Sequence, residues 1–233
     1  MKKIALSAFL AAATIFGANA QTNQGTLFFG GGLGFSSSSQ KATAKSGGTT
    51  VETDGEKSTE FSIVPGVGYF VADKLAIGLD LSVSTSSVKT PNPGPGPGNA
   101  GDYEKVSGTT FAFRPYARKY WMLADNFGFT GTLGVGVGFG SSKVETKSGN
   151  TTVTNDGPKV TNLEIGVTPG LVFFPTNKVG LEANFGFVGY SSTTAKTDLG
   201  GGGELKVNSS TIGLGANSIS PTFSLGFRYY LTK

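Results

Sequence analysis

The sequence predicts an all-β chain that closes into an eight-stranded antiparallel up-and-down transmembrane β-barrel, with short turns at one rim and four long loops at the other. Three observations predict it. Bulky apolar residues recur at every second position through eight segments. The positions between them are small, many of them drawn from the 37 glycines among the 233 residues. The connections alternate between tight turns and long polar stretches, as they must when strands cross a membrane and return.

The eight segments follow in chain order. Gly25–Ser36 carries Leu27, Phe29, Leu33 and Phe35 on one parity, and Phe61–Val71 carries Phe61, Ile63, Val67, Tyr69 and Val71. Leu75–Ser84 carries Leu75, Ile77, Leu79, Leu81 and Val83; Thr109–Trp121 carries Phe111, Phe113, Ala117 and Trp121. Phe127–Gly140 carries Phe127, Phe129, Leu133, Val135, Val137 and Phe139, and Thr161–Phe173 carries Leu163, Ile165, Val167, Leu171 and Phe173. Val179–Tyr190 carries Val179, Leu181, Ala183, Phe185 and Phe187; Ile219–Leu231 closes the series with Ile219, Phe223, Leu225, Phe227, Tyr229 and Leu231. Tight turns fall at Val71-Ala72-Asp73-Lys74-Leu75, Leu123-Ala124-Asp125-Asn126 and Pro175-Thr176-Asn177-Lys178. The long polar segments lie near 37–58, 86–106, 142–158 and 191–216, the second with a run of alternating Pro and Gly that is neither helix nor strand. Short turns on this plan face the periplasm and long loops face outside.

Residues 1–20 read as a cleaved signal peptide: a basic Met1-Lys2-Lys3, an apolar Ile4–Gly17, and small residues in Ala18-Asn19-Ala20 before Gln21. The apolar run is short of the roughly 20 residues a spanning helix needs. Residues 21–233 are then one barrel domain, exported through the general secretory route. Cleavage removes Lys2 and Lys3 and lowers the formal net charge from +4 to +2, so the basic balance does not argue for nucleic acid.

The second parity decides what surrounds the barrel. In the fifth segment it reads Gly128, Thr130, Thr132, Gly134, Gly136, Gly138 and Gly140. A face turned to water carries Lys and Glu, and Gly on an exposed sheet packs nothing. Inside a narrow barrel small residues fit. The bulky parity therefore faces lipid, which argues against a soluble lipid carrier with its apolar side inward. In lipid every backbone group must be paired, which demands closure. Aromatics cluster beside the short turns, and Tyr69, Tyr120, Trp121, Phe127, Phe173 and Tyr229 read as a girdle at headgroup level. Pro65, Pro115, Pro169 and Pro221 recur at intervals of 50, 54 and 52 residues, one per hairpin, and each should interrupt the ladder locally.

The stretch Phe61–Gly78 (FSIVPGVGYFVADKLAIG) resembles the characteristic hairpin of the outer-membrane β-barrel domain family, small porin-like barrels of the OmpA and OmpX type. The aromatic-rich Phe223–Leu231 resembles the last strand that the barrel assembly machinery reads, though here Thr232-Lys233 follows in place of a terminal Phe. The resemblance implies an outer-membrane location in a Gram-negative-type bacterium, with membrane lipids and the assembly machinery as partners.

Six ionisable residues occupy the inward parity: Asp80, Arg114, Arg118, Glu164, Glu182 and Arg228. Equal numbers of each sign suggest a balanced network filling the lumen, since confined charges need partners. Counting residues up from the short turns suggests Asp80 with Arg118, Glu182 with Arg228, and Arg114 with Glu164 across the lumen. The chain has no Cys and no His, which removes thiolate chemistry, disulfides, the commonest metal ligand and the usual general base. Each inward acid has an arginine available, which suits it poorly to a proton-donor role. No catalytic, cofactor-binding or metal residue is expected. The function expected is an integral barrel with a structural or narrow-pore role, standing alone as a monomer. The alternative is a surface interaction or adhesion module acting through its loops on an unspecified ligand.

Overall fold

The computed structural model describes residues 21–46, 48–91, 101–215 and 223–231. The signal-peptide assignment, the Pro–Gly run and Ile219 and Pro221 lie outside them. Among the described residues there is no helix. There are ten strand segments: β1 (Leu27–Ser46), β2 (Thr49–Ala72), β3 (Leu75–Pro91), β4 (Tyr103–Ala124), β5 (Phe127–Ser148), β6 (Thr151–Thr176), β7 (Val179–Phe185), β8 (Phe187–Gly200), β9 (Gly203–Gly215) and β10 (Phe223–Leu231). All pairings are antiparallel. Each of β1 through β6 pairs with the next, β7 pairs with β10, and β10 returns to β1 from Leu27↔Leu231 to Leu33↔Leu225. That closes a ring of eight. Above it β8 pairs with β6 and β9, so β7 with β8, and β10 with β9, make the last two staves.

The alternation of the sequence becomes an outside and an inside. Leu33, Phe61, Ile77, Phe111, Trp121, Leu133, Phe139 and Leu225 stand exposed on the outer wall, where lipid replaces water as the solvent. Positions between them point inward, and low in the ring many of them are buried, among them Phe70, Asp80, Thr130, Thr132 and Glu164.

The seventh stave departs from strict alternation. Val167↔Val188 and Gly170↔Asn184 leave one extra residue on the β7–β8 side, a β-bulge at Gly186. Gly186 has φ of 63°, the left-handed region where a side chain is penalised. Parity flips there. Phe187, expected on the lipid face with Phe185, is turned inward and is 5% exposed, while Val188 takes the outer face.

The long polar segments are strands as well. β2 has 24 residues and β6 has 26, against the roughly 9–11 a transmembrane strand needs. Their upper parts rise beyond the apolar band as hairpins that close at Ser46↔Thr49, Ser148↔Thr151 and Gly200↔Gly203. Thr and Val hold a strand without any buried face, and with both faces wet there is no apolar alternation for a sequence reading to detect.

Of the recurring prolines, each described one opens the ladder on one side. Pro65 pairs with Gly31 but leaves a gap toward β3 between Ile63↔Val83 and Gly66↔Asp80; Pro115 pairs with Leu79 but leaves one toward β5. A proline has no N–H to give, so one neighbour goes without its bond.

Candidate functional site

The buried polar and charged side chains lie in the lumen, in layers. Lowest, residues 21–26 cross the mouth at the short-turn rim. Gln21 is fully buried and its Nε2 donates to the Thr176 carbonyl at 2.7 Å. Backbone bonds from Gly25 N to Phe70 O, Phe70 N to Thr26 O and Lys74 N to Thr22 O hold the segment in place.

Above it sits an aromatic floor. Phe28, Phe70, Tyr120, Phe174 and Tyr230, with Ala76 and Val172, form one buried cluster. Ring centroids lie 5.3 Å apart for Phe28–Tyr230, Phe70–Tyr120 and Phe174–Tyr230, the spacing of packed aromatics. Tyr120 is therefore not a girdle residue. It shares the parity of Arg118, is 1% exposed and belongs to the floor. The remaining girdle candidates lie on the outer parity: Tyr69 and Trp121 exposed, Phe127, Phe173 and Tyr229 partly so. Phe28, Phe70, Phe174 and Tyr230 carried the same signal as Tyr120, namely large side chains on the small parity.

The charged layer follows. Arg118 Nη1 donates to both oxygens of Glu182, at 2.7 and 2.8 Å, and its Nε donates to Thr132 Oγ1 at 2.8 Å. Arg228 Nε donates to Glu182 Oε2 at 2.9 Å, and its Nη2 lies 3.6 Å from Asp80 Oδ1. Arg114 Nη2 reaches Asp80 Oδ2 at 3.3 Å, and its Nη1 lies 3.6 Å from Glu164 Oε1. The six form one chain of alternating sign: Arg118, Glu182, Arg228, Asp80, Arg114, Glu164. It crosses the lumen on β4, β7, β10, β3, β4 and β6. Cation–π contacts tie it to its surroundings, with the Arg228 guanidinium 5.3 Å from the Phe28 ring and that of Arg118 5.0 Å from Tyr116.

One pairing differs from expectation. Asp80 meets Arg114, its register neighbour, and Arg228; it makes no ion pair with Arg118. Counting upward from the turns ignores the stagger that barrel closure imposes. Leu75, at the start of β3, already sits beside Lys119, while β4 runs on down to Ala124. Residues equally far from their own turns are therefore not level.

Glycines make the room. A Cβ on Gly66 would collide with Asp80, one on Gly68 with the Phe28 ring, and one on Gly134 would press on Arg114 at 3.1 Å. Higher up, Phe187 fills the space left by Gly166 and Gly189. Chemically the arrangement stores charge without offering it. Every carboxylate in it lies beside an arginine, and among the described residues no cluster of acids stands in metal-binding geometry.

The comparisons with known proteins agree with this architecture. The barrel resembles OprG from Pseudomonas aeruginosa with a TM-score of 0.53 at 13% identity, covering 92% of this chain and 99% of that one. It also matches Ail of Yersinia pestis, with a TM-score of 0.35, 13% identity and coverage of 89% and 99%. Neisserial surface protein A matches with a TM-score of 0.35, 14% identity and coverage of 88% and 97%. No curated protein matches the sequence. The family model described as outer membrane protein beta-barrel domain matches residues 19–232, so nearly the whole chain belongs to that family.

Proposed function

We propose that this protein is an integral outer-membrane barrel with a structural role, its lumen plugged rather than conducting. The observation that carries the reading is the stack of layers inside the ring. An aromatic floor lies under a six-member ion chain in which no residue except Arg114 exceeds 7% side-chain exposure. Eight strands leave an interior that side chains can fill, and here the aromatic floor and the ion chain occupy its lower part. The outer aromatics Tyr69, Trp121, Phe127, Phe173 and Tyr229 anchor the lower rim at headgroup level. Residues 1–20 direct export, β10 presents the segment for assembly, and the folded barrel stands as a monomer in the membrane. No reaction is assigned to the lumen.

The test combines location with permeability. The protein should be recovered in the outer-membrane fraction, as a band whose gel mobility shifts on boiling. Proteoliposomes loaded with it should not swell in small sugars or amino acids. Recovery in the soluble periplasm, or swelling at porin-like rates, counts against the reading. A second role is favoured by the hairpins above the membrane, which present paired strand surfaces to the exterior. Binding of whole cells to a host surface, lost when the hairpin tips are trimmed, would support it.

A further inference from the structure

The outer wall above the apolar band carries a charge pattern that the lumen does not explain. Following each stave upward past its last outward apolar residue, the first outward charged residue is always a lysine. Only Ser, Thr and Asn come between: Thr59 below Lys57, Thr85 and Ser87 below Lys89, Ser192 and Thr194 below Lys196. Lys41 on β1 and Lys143 on β5 obey the same order. Six of the eight lysines stand directly opposite one another across neighbouring strands. Lys57 pairs with Lys89 and Lys89 with Lys105. Lys159 pairs with Lys196 and Lys196 with Lys206. These two ladders lie on opposite flanks, centred on β3 and β8, with three staves between them on either side.

Like charges directly opposite on a sheet face are destabilising. The chain relieves them only in part. Lys57 pairs with Asp54 at 2.8 Å, Lys196 with Glu204 at 3.3 Å, and Lys89 sits 3.8 Å over the Tyr103 ring. Glu145 lies opposite Lys105 in register but takes the Tyr103 hydroxyl at 2.6 Å. Among the described residues no carboxylate lies within ion-pair distance of Lys105, Lys159 or Lys206.

Height says what surrounds them. Lys57 is four residues above Phe61 and Lys105 six above Phe111, so the ladders stand ~10–15 Å above the apolar edge for strands tilted by about 40°. Long lysine stems snorkel back toward the interface. The hydroxyl collar below suits the ester and sugar zone of a lipid.

The geometry points to two docking strips for anionic phosphate headgroups of the surrounding outer leaflet, one on Lys57, Lys89 and Lys105, the other on Lys159, Lys196 and Lys206. Clustered lysines at a membrane surface favour anionic lipid by roughly fivefold each. The inference rests on the outer-membrane reading, and formation of the heat-shifted band in neutral vesicles tests that reading separately.

The test uses the refolded protein in vesicles of phosphatidylcholine alone and of phosphatidylcholine with 30% phosphatidylglycerol. The readout is the urea midpoint of the heat-shifted band. The wild type should unfold at higher urea in the anionic vesicles, and 0.5 M salt should erase the difference. A Lys57→Gln, Lys89→Gln, Lys105→Gln variant should lose at least half of that lipid-dependent shift while being no less stable in neutral vesicles, because self-repulsion is gone. A triple Lys→Arg variant should retain the shift, and so should Lys45→Gln with Lys147→Gln near the hairpin tips. Equal wild-type midpoints in both vesicles overturn the inference, as does an equal loss in the tip variant. An equal shift from inorganic phosphate added to neutral vesicles overturns it as well, by assigning the site to a free ion. Should the Gln variant not fold, native mass spectrometry of the wild type from mixed lipid decides. Retained phosphatidylglycerol in excess of its share supports the strips, and retention in proportion overturns them.

Discussion

Along β5 the lower part of the strand carries Phe129, Leu133 and Val135 outward and Thr130, Thr132 and Gly134 inward, the inward set buried. The upper part of the same strand carries Ser141, Lys143 and Glu145 outward and Ser142, Val144 and Thr146 inward, none of them buried. Backbone pairing continues through both, to Ser148↔Thr151 at the tip. What changes is the surroundings. Below, lipid lies on one side and a packed lumen on the other, so side chains on each face are dictated. Above, both faces meet water, and the ladder alone maintains the strand. Stability should therefore be concentrated in the lower lumen and sparse in the hairpins.

The sharpest way to break that contrast is to remove the centre of the ion chain. Glu182 serves both Arg118 and Arg228, so Glu182→Ala leaves buried Arg118 without a carboxylate and Arg228 with Asp80 alone. We expect a loss of about 3–5 kcal/mol or failure to fold, read from urea unfolding of the refolded barrel. Arg118→Ala should also destabilise or leak, by leaving Glu182 with Arg228 alone and Thr132 without its donor. An unchanged midpoint in both would show that the charges are separately solvated.

Adjacent residues then compare inside with outside. Tyr120 belongs to the floor and Trp121 to the lipid face. Tyr120→Ala should cost about 3–5 kcal/mol, as deletion of a buried aromatic does. Trp121→Ala should cost less than half as much, because lipid refills its place. The reverse order would put the weight of the fold on the girdle. Overpacking the same floor is next in size. Gly68→Val forces a side chain onto the Phe28 ring and should cost about 1–3 kcal/mol, whereas Gly149→Ala at a hairpin tip, where φ is 58°, should act only through local strain.

The upper region should respond weakly. Joining Val144 to Asn155, which are register partners, removes the β5–β6 tip and should leave the midpoint within about 0.5 kcal/mol. Smaller still is a pH effect at Tyr103. Its hydrogen bond to Glu145 raises its pKa above the usual tyrosine value. A raised acid favours the neutral form in the fold. The bond's contribution is therefore complete below the ordinary tyrosine pKa and lost as pH climbs through the raised one. Protease nicking of the β4–β5 hairpin should increase at that alkaline pH in the wild type, and at neutral pH already in Tyr103→Phe.

This division also explains what the sequence could disclose. The ring, its turns and its inward charges were legible because the lower half alternates in contact with two different media. Three features were not. The upper strands have no apolar face, so they read as loops. The stagger between strands is set by closure of the whole ring, so counting from the turns points Asp80 to Arg118 instead of Arg114. The flip at Gly186 depends on one left-handed residue, and it turned Phe187 to the side opposite from its apparent parity. Tyr120 was legible but misplaced: its neighbours beside the turn suggested a girdle, while its parity with Arg118 already placed it inside.

The most direct measurement is single-channel recording of the refolded protein in a planar bilayer, after a heat-shifted band confirms that the barrel has formed. A lumen closed by the aromatic floor and the ion chain predicts a folded but electrically silent protein. Discrete conductance steps from the wild type would contradict it and show that ions pass the layers between Gln21 and Phe187.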